Sequence, residues 1–172
     1  MTSRVSELLS QLRKISPLPD DSSLSEELLT TYEKIVNQLA QLRDPSAIQP
    51  LLESFGYGTG YGLYWTVVHF LEQFGHEQID PLLISALQKG QPGTQMWAAL
   101  MLGRSRNKAA IPQLAALLDS PKELVRASAV AALGAIDGML ARPYIERLRN
   151  DPSREVRAAA ERVLKSLGKN AQ

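Results

Sequence analysis

His69 and Glu72 stand three residues apart, the spacing that places an imidazole and a carboxylate on one face of a helix, where they could act as an acid/base pair. The rest of the chain gives that pair little support. The 172 residues contain no cysteine and one other histidine, His76, and no periodicity brings a serine and a carboxylate into a triad with either imidazole. Zinc ribbons, thiol catalysis and redox exchange therefore lack their ligands and nucleophiles. The segment Gly56-Tyr57-Gly58-Thr59-Gly60-Tyr61-Gly62 invites comparison with phosphate-binding loops, in which glycine lets backbone N–H groups approach an anion. It follows a helix instead of a strand and lacks the lysine-serine/threonine pair, so the expectation is a flexible connector between two helices. The chain is expected to carry no catalytic residues, no metal and no cofactor. His69 and Glu72 then serve as polar contacts on a binding surface.

What positions these residues is a repeat. Pro50, Pro81, Pro112 and Pro143 each fall 31 residues after the last, and two positions beyond them stand Leu52, Leu83, Leu114 and Ile145. In the third unit Val125, Ala129, Ala132, Leu133 and Ile136 trace one buried helical stripe. The same offsets give Leu63, Val67, Phe70, Leu71 and Phe74 in the first unit, Thr94, Ala98, Met101, Leu102 and Ser105 in the second, and Val156, Ala160, Val163, Leu164 and Leu167 in the fourth. Each unit is thus expected to be a helix pair, with its proline near the start of the first helix, where few N–H groups have intrahelical partners.

Helix starts are expected at Ser120-Pro121-Lys122-Glu123, as N-cap, first-turn proline and capping-box glutamate, at Ser23 with Glu26, and at Asp44-Pro45 and Asp151-Pro152. Ahead of the repeats, Val5, Leu8, Leu9, Leu12 and Ile15 mark one amphipathic helix, and Leu24, Leu28, Ile35, Leu39 and Leu42 a second. The expected fold class is all-α: an α-solenoid of about ten helices, a right-handed superhelical stack of antiparallel pairs. One domain covers 1–172, with an N-terminal cap pair at 1–43, four repeats of about 31 residues at 44–168 and a tail at 169–172. A chain of this length can bury a sizeable core without disulfides.

If one stripe of each second helix is buried, a partner meets the opposite one. The candidate partner-binding residues on it are Tyr61, Trp65, Val68, His69 and Glu72 in the first repeat, Met96 and Leu100 in the second, and Arg154, Arg162 and Lys165 in the fourth. Clustered aromatic side chains offer large contact area at low entropy cost; the alternative is that the cap folds over Tyr61 and Trp65. Charge is polarised as well. Residues 1–85 hold 5 basic and 11 acidic groups (−6), and residues 86–172 hold 14 and 7 (+7). Such a dipole steers an oppositely polarised partner, or allows head-to-tail self-association. The N-terminal residues lack a secretory-type apolar stretch and no uninterrupted apolar run of about 18 residues occurs, so the expectation is a cytoplasmic protein with no membrane partner.

The segment Ala109–Ile136, AAIPQLAALLDSPKELVRASAVAALGAI, resembles a HEAT repeat of the short, phycobilisome-lyase-like type, and REVRAAAERVLKSLG in the fourth unit is similar. That resemblance implies Asp119 with Arg126 and Asp151 with Arg157 as rungs of a structural ladder. Between Leu51 and Asn107, His69, Glu72, Phe74, Trp97, Ala98, Arg104 and Asn107 resemble a pattern of HEAT-like immunity proteins that accompany bacterial polymorphic toxins. The function these features imply is a non-enzymatic protein-binding scaffold, an immunity or regulatory adaptor whose partner is another protein such as a toxin. An accessory subunit or chaperone for bilin attachment is the alternative that the lyase-like resemblance implies. Nucleic-acid phosphate binding by the basic C-terminal repeats is a third, disfavoured by the balanced total charge.

Overall fold

The computed structural model describes residues 3–169, so residues 170–172 of the expected tail lie outside the described residues. The described residues contain nine α-helices, several of them joined through short 3-10 turns, with no strand: α1 (Ser3–Ile15), α2 (Glu26–Leu42), α3 (Ile48–Leu52), α4 (Tyr64–Glu72), α5 (His76–Lys89), α6 (Pro92–Ser105), α7 (Ile111–Leu117), α8 (Glu123–Glu146) and α9 (Arg154–Lys169). The fold class is all-α and built from helix pairs, as the 31-residue period predicts. The chain divides into two compact units, Met1–Leu82 and Leu83–Gln172, with the boundary inside α5.

In the first unit α1 packs on α2 and α3, and α4 packs on α2 and α3. The expected stripes supply the core: Val5, Leu8, Leu9 and Leu12 from α1, Ile35 and Leu39 from α2, and Val67, Phe70 and Leu71 from α4 are all buried. An aromatic knot joins them. Tyr64 receives the ring of Tyr32 edge-on at 6.0 Å and that of Phe55 at 5.2 Å. Burial demands partners for the two hydroxyls. Ser54 Oγ donates to the Leu51 carbonyl at 2.7 Å and lies 2.7 Å from the Tyr32 hydroxyl, while the Tyr64 hydroxyl accepts from the Gly56 N–H at 2.9 Å. Desolvation pushes the Tyr64 hydroxyl up to about 12 and raises that of Tyr32 further.

In the second unit α8 is the hub, packing on α6, α7 and α9. Close approach depends on small residues: a Cβ at Gly103 would sit 2.9 Å from the Ala132 Cα, and one at Gly134 would sit 2.5 Å from Val163 Cγ1. α8 bends at Asp137 (φ −158°, ψ 86°), and that bend separates the second helix of the third repeat from the first helix of the fourth. With the bend, the helical segments agree with the ten expected. By length and composition Glu123–Asn150 is apolar enough to cross a membrane, with a mean hydropathy of 1.5. Its apolar residues Val125, Ala129, Leu133 and Ile136 are buried within the unit, as core helices of this composition are.

Helix ends correct several expectations. α8 starts at Glu123 with Lys122 as N-cap; Ser120 Oγ instead accepts from the Lys122 N–H at 3.3 Å, within the preceding turn. α2 is capped by Ser25, which accepts from the Leu28 N–H at 3.2 Å, and Ser23 belongs to a 3-10 turn. Asp44 caps as expected, accepting from the Ser46 N–H at 2.9 Å. The ladder is also displaced by one rung. Arg126 reaches forward to Asp151 in a bidentate pair at 2.8 and 2.9 Å, Asp119 pairs with Arg147 at 2.9 Å, and Arg157 donates to the Asp151 carbonyl at 2.7 Å. The family resemblance implied Asp119 with Arg126 and Asp151 with Arg157. A guanidinium pointing along the stack meets the aspartate of the next repeat instead.

Candidate protein-binding surface

The glycine-rich segment between α3 and α4 does surround an anion, and the anion belongs to the chain. The Asp21 carboxylate accepts from the N–H groups of Thr59 and Gly60, at 2.8 and 2.9 Å, and from Thr59 Oγ1 at 2.9 Å. Glycine is required for this approach: a Cβ at Gly58 (φ +142°) would lie 2.4 Å from the Asp21 carboxyl carbon. The expected flexible connector is therefore a fastened loop. Spacing alone could not reveal this, because the partner lies 38 residues away, in the turn before α2.

The latch presents the aromatic edge. Tyr61 adopts left-handed backbone (φ 49°, ψ 30°), uncommon for a residue with a side chain, and its hydroxyl donates to the Asp21 carbonyl at 3.1 Å. Its ring is 68% exposed, so the cap does not cover it. Trp65, one turn on and 39% exposed, packs its ring 6.2 Å from that of His69, tilted by 42°. His69 is exposed and Glu72 half-buried. Trp65 and His69 thus share a solvent-facing side of α4, and Tyr61 is exposed on the turn that precedes the helix.

Val68 does not join it. It is fully buried, because it shares the inward stripe with Tyr64 and Leu71 at i−4 and i+3. In the second unit Met96 is likewise buried, aligned with Ala99 and Gly103 on the face that α8 approaches, and Leu100 is half-buried. Trp97 is buried as well. A second helix that touches neighbours on two sides as well as its own pair has a narrower free stripe than a single-stripe reading allows. Arg154, Arg162 and Lys165 of α9 are exposed.

The sequence reading missed one exposed apolar group. Met139, Leu140 and Tyr144 stand 64%, 56% and 45% exposed in the part of α8 beyond the bend. The signal was available: they interleave with buried Ala141 and Ile145 and with Arg142 and Glu146, which pair at 2.8 Å. Among the described residues, no three or more His, Asp or Glu side chains gather as a metal-holding group.

Comparison with known proteins agrees with this architecture. No curated protein matches the chain. Among solved structures, human deoxyhypusine hydroxylase in complex with glycerol is similar, with a TM-score of 0.56 and 23% identity over 92% of this chain. The present chain covers 62% of that one, and at this identity the likeness concerns the fold. The family described as PBS lyase HEAT-like repeat matches residues 32–56. Matches to the family described as HEAT repeats cover residues 61–134 and 79–165, more than half of the chain, and the protein belongs to the HEAT-repeat family.

Proposed function

We propose that the protein is a non-enzymatic adaptor that captures another protein on the edge formed by Tyr61, Trp65 and His69. HEAT repeats generally mediate protein–protein interaction. The observation that carries the reading here is Tyr61, a large aromatic ring held out to solvent by a left-handed residue and a hydroxyl bond. A pre-ordered aromatic loses little entropy on binding and makes a natural hot spot. Exposed Arg154, Arg162 and Lys165 belong to the proposal as a steering patch that speeds association more than it strengthens it. The partner is a polypeptide met in the cytoplasm, and the toxin of an immunity pair is the form implied by the His69, Glu72 and Trp97 resemblance.

The test is quantitative pull-down with the wild-type chain and a Trp65→Ala, His69→Ala double variant, with thermal melting as a control for folding. A partner retained by the wild type and weakened about thirtyfold or more in an equally folded variant supports the surface. Undiminished binding by the variant overturns it.

A further inference from the structure

We propose that the exposed aromatic side chains of the first unit take a basic polypeptide segment, with an arginine of the partner laid against the rings of Trp65 and Tyr61. This rests on the protein-binding reading above and names the chemistry of the segment that is bound. Charge is the first reason. The unit Met1–Leu82 holds 11 acidic and 5 basic residues, and the basic ones, Arg4, Arg13, Lys14, Lys34 and Arg43, all precede Asp44. From Asp44 to Leu82, the stretch that carries Tyr61, Trp65 and His69, there are five acidic residues and no lysine or arginine.

Two more carboxylates lie against this stretch. Asp21 is seated on the Thr59 and Gly60 N–H groups of the loop that carries Tyr61, and its neighbour Asp20 is exposed. After burial, the charges of Asp21 and Asp20 are what raise the Tyr64 hydroxyl, so negative potential reaches the start of α4, the helix that bears Trp65. The second reason is the rings. An aromatic face attracts a cation through its quadrupole, indole most strongly, and a guanidinium is flat and weakly hydrated enough to stack on it. Tyr61 and Trp65 are 68% and 39% exposed, so both offer ring surface to such a group. His69 lies 6.2 Å from the Trp65 ring, and the charge at that position therefore bears on a cation held there. The same field repels an acidic segment or a nucleic acid, and an uncharged segment gains nothing from it.

The experiment is an NMR titration of the 15N-labelled full chain with an octapeptide of alternating arginine and glycine, set against the serine–glycine and glutamate–glycine octapeptides at one ionic strength. The two indole N–H signals are read directly, from Trp65 and from buried Trp97. A saturable shift of the Trp65 indole is expected with the arginine peptide, about three- to tenfold tighter than with the serine peptide, and none with the glutamate peptide. Trp65→Ala, read at the Tyr61 amide, is expected to weaken the arginine peptide by about the same factor. His69→Lys changes an exposed residue and sets a cation beside the ring; it is expected to weaken the peptide without lowering the melting temperature. Equal affinity for the arginine and serine peptides, binding of the arginine peptide unchanged by both variants, or absence of a saturable Trp65 shift each overturns the proposal. If the Trp65→Ala, His69→Ala variant loses its partner in the pull-down while the wild type shows no preference for arginine, the surface stands and its assignment to basic segments falls.

Discussion

The two units use the same 31-residue period for opposite ends. In the second unit the period is kept closely, and what it produces is contact: Gly103 against Ala132, Gly134 against Val163, and an arginine–aspartate pair sunk between repeats. In the first unit a glycine-rich segment takes the place of regular helix between α3 and α4 without changing the 31-residue spacing, and what that produces is exposure, with Tyr61 and Trp65 facing solvent. Regularity closes surface. An interruption fastened from outside the repeat opens it.

The largest expected effect tests the regular half. The side chains of Arg126 and Asp151 are 12% and 5% exposed, so Arg126→Ala strands a buried carboxylate and is expected to cost about 3–5 kcal/mol in denaturant unfolding. The same pair gives a pH dependence. The hydrogen bonds from Arg126 hold the Asp151 carboxyl below the usual carboxylate range, so its contribution is complete above the unfolded-state value and is lost as acid protonates the folded carboxylate. An acid titration of stability should flatten in an Asp151→Asn, Arg126→Met double variant; an unchanged acid slope would remove this pair from the explanation.

Next in size is the fastening of the other half. Asp21→Asn replaces charge-assisted bonds to Thr59 and Gly60 and should cost about 1.5–3 kcal/mol, seen most directly as faster hydrogen exchange at those two amides. If exchange there stays slow, the latch is not what orders the loop. Gly103→Val should cost about 1–3 kcal/mol through backbone crowding at Ala132 while leaving the Thr59 and Gly60 amides protected, which separates the two mechanisms. The smallest effect is on the exposed turn itself: because Tyr61 is 68% exposed, Tyr61→Phe, which removes only the hydroxyl bond to the Asp21 carbonyl, should lower the stability of the chain by no more than about 1 kcal/mol. A larger loss measured by calorimetry would give that hydroxyl a structural part beyond one bond.

The sequence made the periodic parts of this molecule legible. Val125, Ala129, Leu133 and Ile136 are buried because the offsets i, i+4, i+8 and i+11 are a property of any helix with one inward stripe. Helix ends were less legible where the terminating residue is unusual. Arg43 and Arg106 adopt left-handed backbone (φ 49° and 52°) at the ends of α2 and α6, a place where glycine is the ordinary signal and where Gly75 (φ 77°) supplies it after α4. The site was half legible. Trp65 and His69 share a side of α4 because their spacing is helical, Tyr61 is exposed through a left-handed turn that the spacing does not show, and Val68 and Met96 are buried by neighbours that no single-helix pattern contains. The Asp21 contact lay beyond reach for a related reason: hydrogen bonding across 38 residues leaves no mark on local spacing.

That contact has a consequence for how the loop responds to its surroundings. An anion that diffuses can be diluted away, and its seat then collapses or waits. Here the carboxylate is tethered to its seat by the polypeptide, so its effective concentration is set by chain geometry and does not change with the medium. The loop's anchor is therefore independent of protein concentration while the helical cap is folded, and is lost when the cap unfolds.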